Sequence, residues 1–511
     1  MALTAQQALS TVERLYGVLN KRRPAVALTD DYYRGKQPLR FASDKWREYH
    51  ANRYTKFSDN WCAPVADSPN ERLRVDGFRL DDDPKQSDQE KTLWNDWLMN
   101  DMEAQASQGF LASIISKRSF VLVWGDDDGN PVATWESPDQ VVVDCDPERP
   151  GRRLSALKTW CDDDTEYATL YTPDEVWKFE RPHTRLMQVQ LAALPTTAEP
   201  FFLTEAGLMV PTADKTGWVK RQPNEDAAWP IKNPLGVVPI VEFPNRPMLK
   251  GQPLSDIEGT MAMQDAINLL WAYLFVAADF ASMPARVVMG QEPPKIPILD
   301  DTGQKVGERA VDLKKIAEDR ILWLTGDQSK IGQWDAAKLD VFTGVIDTGV
   351  SHIAAQTRTP PHYMLLGNGM VNVNADGMRA AETGLVMKVN EEQTFFTPPV
   401  REVFRLFALV RDDKQAAERC RLGAVQWKNA ENRSYAQTVD ALLKLQTIGF
   451  PFEWLAEQYG LGPTELQRVI AMKKAQDEAD PLAALARAGA GVPAGQLPPG
   501  PPDPGVVPAA G

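Results

Sequence analysis

The spacing of apolar positions shifts along the chain, and each shift predicts a different kind of element. Leu9, Val12, Leu15 and Leu19 recur at three and four residues, the repeat of a helix with one buried stripe. Thr4 is placed to cap that helix and Pro24 to close it. Residues 72–80 (RLRVDGFRL) alternate as a strand does, and a helix over 87–108 puts Leu93, Trp97 and Ala104 on one face. From 119 to 180 the period drops to two. Residues 120–124 (FVLVW) and 132–135 (VATW) flank Gly125-Asp126-Asp127-Asp128-Gly129-Asn130, a hairpin with loop chemistry, and 141–143 and 168–179 continue the sheet. The first half of the chain therefore reads as mixed helix and strand.

At residue 251 the character changes. GQPLSDIEG leads into a long stretch without proline that ends at Pro284 and is apolar on nearly all sides, from Ala266 through Leu270, Trp271 and Phe275 to Val276. A helix that is hydrophobic all round must be covered all round, by a large core or by neighbours on both flanks in a ring. Its longest apolar run, 267–278, is too short to cross a hydrocarbon layer about 30 Å thick. Residues 286–327 form a small module with strand-like VVM (287–289) and RILWL (320–324), its charges evenly mixed in sign. A second helix over 335–356 carries Leu339, Phe342, Ile346, Val350 and Ile353 at helical spacing, and Thr359-Pro360-Pro361 stops it. Residues 362–374 (HYMLLGNGMVNVN) read as a loop. Beyond it Asp376 can cap a long helix marked by Met378, Leu385, Val389, Phe396, Val400, Phe404, Phe407 and Val410, with a kink expected at Pro398-Pro399. Residues 433–477 are helical with breaks at Gly449-Phe450-Pro451 and Gly460-Leu461-Gly462-Pro463. The tail from Pro481, with eight prolines and six glycines, has the composition of a disordered segment.

The 511 residues allow roughly three domains, with the apolar and charged fractions of a soluble globular protein (43% and 25%). A net charge of −14 argues against tight, sequence-specific binding of duplex DNA, which requires Lys and Arg to displace counterions. It is compatible with a channel wall that DNA slides past. Cys62, Cys145, Cys161 and Cys420 are scattered, form no CxxC pair, and read as small buried hydrophobes; residues 1–6 lack the pattern of a secretory signal. Phosphate-loop, dinucleotide, HExxH and GxSxG motifs are absent, and the four histidines have no ligand spacing. Three acidic runs, 81–83, 126–128 and 162–164, could in principle hold metal. Neighbouring residues on a strand point to opposite faces, however, and all three fall where turns are expected.

The order of parts, together with DDYYRGKQPLRF (30–41), NWCAPVADSPNERLRVDGFR (60–79), NPLGVVPIVEFPNRP (233–247), SDIEGTMAMQDAINLLWAYLFVAADFASMPARVVMG (255–290) and TRTPPHYMLLGNGMVNVNADGMRAAETGLVMKVNEEQTFF (357–396), resembles the portal proteins of tailed bacteriophages. The likeness is to the SPP-type siphophage branch found in phages of actinobacteria, and it spans roughly residues 5–475. It implies a predominantly helical α+β portal fold assembled as a ring. On these positions the wing falls on 1–250 and 375–432, stem helices on 251–285 and 335–357, the clip on 286–334, a tunnel loop on 358–374 and the crown on 433–480, with 481–511 a tail. The resemblance further implies a dodecamer at one capsid vertex, in the virion and, during assembly, in the host cytoplasm. Its partners would be the terminase large subunit, a head-completion (adaptor) protein, major capsid and scaffold proteins, and double-stranded DNA passing non-specifically, with no membrane, cofactor or catalytic residue. Arg358, His362, Asn368, Asn372 and Asn374 would face the DNA, and Trp271, Phe275 and Phe342 would pack between subunits. A metal-dependent nuclease built on an acidic run, or another minor capsid protein, are the alternatives.

Overall fold

The computed structural model describes residues 3–37, 39, 57–80, 87–182, 201–203, 209–211, 217–222, 228–282, 286–289, 295–299, 303–310, 321–324, 330–333, 339–364, 375–431 and 435–479. The chain divides into one unit over 1–430 and a second over 431–511.

The first unit opens with α1 (Ala5–Tyr33), capped by Thr4 and Gln7 in a reciprocal capping box and burying Ala8, Val12, Leu15 and Leu19. It does not close at Pro24, as its sequence predicts. A proline removes one donor, and here the helix is carried past it by Arg22 and Arg23, whose guanidiniums donate to the carbonyls of Val141 (2.9 Å) and Asp139 (3.0 Å). Next come α2 (Cys62–Asn70), β1 (Val75–Arg79), α3 (Asp88–Met99) and α4 (Met102–Ser116). The single helix expected over 87–108 is thus two. Asn100 leaves the helix to bond the edge of a strand, donating to the Pro131 carbonyl and accepting from the Ala133 amide, and Asp101 turns left-handed at φ 51°.

The hairpin read at 120–135 is present as β2 (Arg118–Gly125) and β3 (Pro131–Glu136). Then β4 (Val141–Cys145), β5 (Arg153–Cys161), β6 (Thr165–Tyr171) and β7 (Glu175–Pro182) form an antiparallel meander. A short hairpin pairs β8 (Phe201–Leu203) with β9 (Met209–Pro211), while β10 (Val219–Lys220) and β11 (Ile231–Lys232) both add to β7. Strand β12 (Ile240–Pro244) completes a three-stranded sheet in the order β12-β2-β3. The apolar helix α5 (Met261–Ser282) follows. In the module after it, β13 (Arg286–Met289) pairs parallel with β16 (Ile321–Leu324) and antiparallel with β17 (Lys330–Gln333), beside a hairpin of β14 (Lys295–Leu299) and β15 (Lys305–Ala310). Helix α6 (Asp340–Thr357), the short α7 (Pro361–Met364), the long α8 (Ala375–Val410), α9 (Lys414–Cys420) and β18 (Ala424–Trp427), paired with β1, end the unit.

Helix α8 is the centre of the main core. Its stripe of Leu385, Val389, Phe396, Val400, Phe404 and Phe407 is fully buried. Phe396 stacks on Phe110 at 5.0 Å, and Phe404 on Phe78 at 4.1 Å and Trp97 at 5.2 Å. The helix is continuous through Pro398 and Pro399, within the one long helix that the spacing predicts. The prolines cannot donate to the carbonyls one turn back, but burial of Phe396, Val400 and Phe404 on one face keeps the chain in register. Cys62 and Cys420 are buried as read, whereas Cys161, at the end of β5, is exposed. In the second unit α10 (Tyr435–Thr447), α11 (Phe452–Tyr459) and α12 (Pro463–Ala479) are separated at Gly449 and Gly460, both at positive φ, where the breaks are read. The tail from 481 lies outside the described residues.

Two glycine-to-alanine changes should separate packing from helix propensity. A Cβ on Gly109 would sit 1.7 Å from the Trp135 ring, which Ser119 holds by a 2.9 Å hydrogen bond. Gly109→Ala should therefore lower unfolding free energy by about 1–3 kcal/mol or more. Gly17→Ala, on α1 with open space around it, should raise it by roughly 0.5–1 kcal/mol. Chemical denaturation of the two variants measures both signs.

Candidate functional site

Helix α5 carries a polar stripe that its apolar composition conceals. Gln264, Asp265 and Asn268 are all buried on it. The Gln264 side chain accepts from the Trp61 amide (2.8 Å) and donates to the Asp59 carbonyl, and Asn268 accepts from the Asp59 amide (3.0 Å). Asp265 accepts from the Tyr32 hydroxyl at 2.7 Å. One carboxylate oxygen of Asp59 receives two indole N–H groups, from Trp61 (3.0 Å) and Trp271 (2.8 Å). Phe57 meets Trp271 and Phe275 edge-on, at 6.1 and 5.0 Å. Residues 57–61 therefore clamp one side of α5, and Trp271 and Phe275 lie partly buried against their own chain there.

The other sides are less covered. Gly349 lets α6 approach α5 closely, since a Cβ there would lie 3.2 Å from Ile267. Beyond that contact Tyr273 is exposed, Phe342 is half-buried, and Val341 and Val345 on α6 are 62% and 50% exposed. The span Glu258–Asp279 is 22 residues long, and by length and composition it could cross a membrane, which the shorter run 267–278 could not. Only 39% of its apolar window is buried, yet the bonded Gln264, Asp265 and Asn268 tie it to protein. What remains is an apolar surface needing a partner.

The base of the loop over 358–374 is held to α8 on two sides. Arg358 ends α6 in the left-handed region at φ 58°, and its guanidinium lies 3.5 Å from Glu391. One turn on, His362 Nε2 is 3.5 Å from Glu382, which also pairs with Arg72 (3.2 Å). Arg72 donates to the Tyr363 hydroxyl at 2.8 Å. Arg358 and His362 are thus brought to one helix, by Glu382 and Glu391, which the sequence pattern does not single out. Asn368, Asn372 and Asn374 lie outside the described residues.

Beneath Arg358 sits a buried charge cluster. The Lys388 ammonium pairs with the Asp256 carboxylate, both almost fully buried, and Asn245 donates to Asp256 at 2.9 Å. Glu392 adjoins them. Burial, and then the negative charge of Asp256, hold its carboxyl well above the ordinary value of 4.5. Of the acidic runs, Asp126 accepts from the amides of Asn130 (2.7 Å) and Asp128, and Asp162 from Tyr167 and Thr165. These bonds hold both carboxyls below the usual range, as expected of turn caps. Asp81, Asp82 and Asp83 lie outside the described residues, and among the described residues no cluster of three His, Cys, Asp or Glu is placed to hold a metal.

A ring component with an unfinished apolar helix pair and a pinned loop is the class this arrangement suggests. The family model described as "Phage portal protein, SPP1 Gp6-like" matches residues 13–477, so the chain belongs to the phage portal protein family. The portal protein of Mycobacterium phage D29 is 27% identical over 463 residues, covering 86% of this chain and 82% of that one. The portal protein of Mycobacterium phage L5 is 28% identical over 404 residues, covering 75% and 71%. A chain in the virion of a native gene transfer agent particle aligns at a TM-score of 0.40 and 10% identity, covering 84% and 96%. The protein is a portal subunit of the virion, one copy of the ring at a capsid vertex through which double-stranded DNA is packaged and ejected.

The buried Glu392 makes stability depend on pH in a defined direction. Between 4.5 and its raised folded value, the folded state keeps a proton that the unfolded state has released, so stability falls as pH rises through that window. Glu392→Gln removes this dependence. Thermal melts at stepped pH should show variant and wild type converging below about pH 4.5, with the variant gaining on wild type towards pH 8.

Proposed function

We propose that the portal subunit divides its work along the chain as follows. Residues 1–250 and 375–432 form the wing, and the helices within 251–285 and 335–357 are the stem. Residues 286–334 form the clip, 358–374 the tunnel loop and 433–480 the crown. The ring is a dodecamer assembled in the host cytoplasm. It docks the terminase large subunit, then a head-completion protein, and meets major capsid and scaffold proteins at its vertex. It acts without cofactor or catalytic residue. DNA passes non-specifically, an acidic chain of net charge −14 offering phosphate few contacts over most of its surface.

The observation that carries this reading is the incomplete cover of α5 and α6. A helix apolar all round is stable only when all of it is buried, and among the described residues its cover comes from 57–61, from Leu39 against Ala272 and from Ile267 against Gly349. A neighbour on each flank supplies the rest. Trp271, Phe275 and Phe342 border that surface, and Arg358 and His362 anchor the loop reaching into the channel, with Asn368, Asn372 and Asn374 along it.

Val345→Asp tests the stem directly, because Val345 is half-exposed in the single chain and its change should leave the subunit folded. A carboxylate buried between copies costs several kcal/mol, so size-exclusion chromatography should show monomers of 56.9 kDa with an unaltered circular dichroism spectrum. Rings of wild-type size from this variant would remove the stem assignment. Deleting 365–372 should leave rings intact and impair DNA packaging; heads filled normally by that variant would remove the tunnel-loop assignment.

A further inference from the structure

The buried charge cluster borders a cavity of about 210 Å³ where residues 254–260, the last turn of α6 and the middle of α8 meet. Its lining includes Arg246, Asp256, Thr260, Thr357, Arg358 and Lys388. Three cations thus face one carboxylate. Lys388 and Asp256 satisfy each other at the floor. Arg246 comes no nearer than 3.8 Å to Asp256, and Arg358 is 3.5 Å from Glu391, both of these last side chains being substantially exposed. The Arg358 pair, open to water on both sides, is weak, and the Arg246 pair is held near the limit of ion-pair distance. Two guanidiniums are therefore left available at a cavity whose floor is already neutralised, in a chain that is acidic as a whole.

The backbone supports the same reading. Among the described residues five that are not glycine adopt positive φ, and three of them surround this segment: Lys117 at 75°, Arg246 at 44° and Arg358 at 58°. Lys117 is tied to it through its carbonyl, which accepts from the Asn245 amide (2.8 Å), and its ammonium, 2.8 Å from Glu258. A side chain at positive φ costs energy, and such residues persist where the surroundings hold them, as in ligand clamps. Here two of them present guanidinium groups to one cavity.

We propose that this cavity binds a phosphate group, with Arg246 and Arg358 as its principal donors and Lys388 as a fixed charge at its floor. Guanidinium forks match phosphate oxygens in pairs, and donors from three separate segments suit a tetrahedral anion better than a planar carboxylate. The space also admits bridging waters, each occupying roughly 30 Å³ in the liquid. The phosphate comes either from the backbone of DNA or from the free inorganic ion. Bound there, it would join the last turn of α6 to α8 and stiffen the base of the 358–374 loop. That consequence rests on the tunnel-loop reading, whereas the binding does not.

The test titrates inorganic phosphate into the full-length protein at constant ionic strength, against chloride, by calorimetry and by thermal melting. Wild type should bind and melt higher in phosphate. Arg246→Gly and Arg358→Gly should each weaken binding about tenfold, while keeping a near wild-type midpoint in chloride, because glycine is at ease at positive φ. A short DNA duplex that displaces the phosphate would identify the backbone as the source; a duplex without effect would identify the free ion. The proposal is overturned if wild type shows no phosphate response, or if both glycine variants keep it. Failure of the loop deletion to impair packaging would leave this result standing.

Discussion

One requirement organises this molecule: helix α5 is apolar on nearly every side, and the described residues of a single chain cover only part of it. Part of that cover is apolar, Ile267 against Gly349 and Ala272 against Leu39, and part is polar. Asp59 accepts from Trp61 and Trp271, Gln264 and Asn268 bond the backbone of 59–61, and Asp265 takes the Tyr32 hydroxyl. Buried polar groups are costly unless paired, so these bonds fix the rotation of α5 about its axis. That rotation decides which apolar side chains remain outside for a neighbour. In the proposed stem a ring meets the remaining need, because each copy has two flanks.

Helix α8 connects the interior to the loop. Its apolar stripe forms the main core with Phe78, Trp97 and Phe110, while its polar side presents Glu382, Lys388, Glu391 and Glu392 to the base of the loop and the charge cluster. A helix fixed by aromatic stacking gives those side chains a rigid mount. Strain at Arg246 and Arg358 is tolerated because the segments around them are held on several sides.

Much of the fold was legible where local chemistry decides it. The Thr4 cap, the 120–135 hairpin, the stop after Thr357 and the glycine breaks at 449 and 460 all follow from short-range rules. Illegible were the places where distant contacts override them. Pro24 sits inside a helix because packing holds the flanking turns, and Asn100 breaks a helix to serve a strand more than thirty residues on. The site divides in the same way. Arg358 and His362 were readable from the proline stop, but Glu382, Glu391 and Asp59 reach them or α5 only through the fold. The polar spacing Gln264, Asp265 and Asn268 within an apolar helix was a visible sign of a buried stripe; its partners were not.

The most direct measurement of the central claim is negative-stain electron microscopy of the purified full-length protein, with class averages viewed down the symmetry axis. The account requires hollow rings of about a dozen copies, because only neighbours complete the cover of α5 and α6. Compact single subunits of 56.9 kDa, persisting at high concentration, would contradict it.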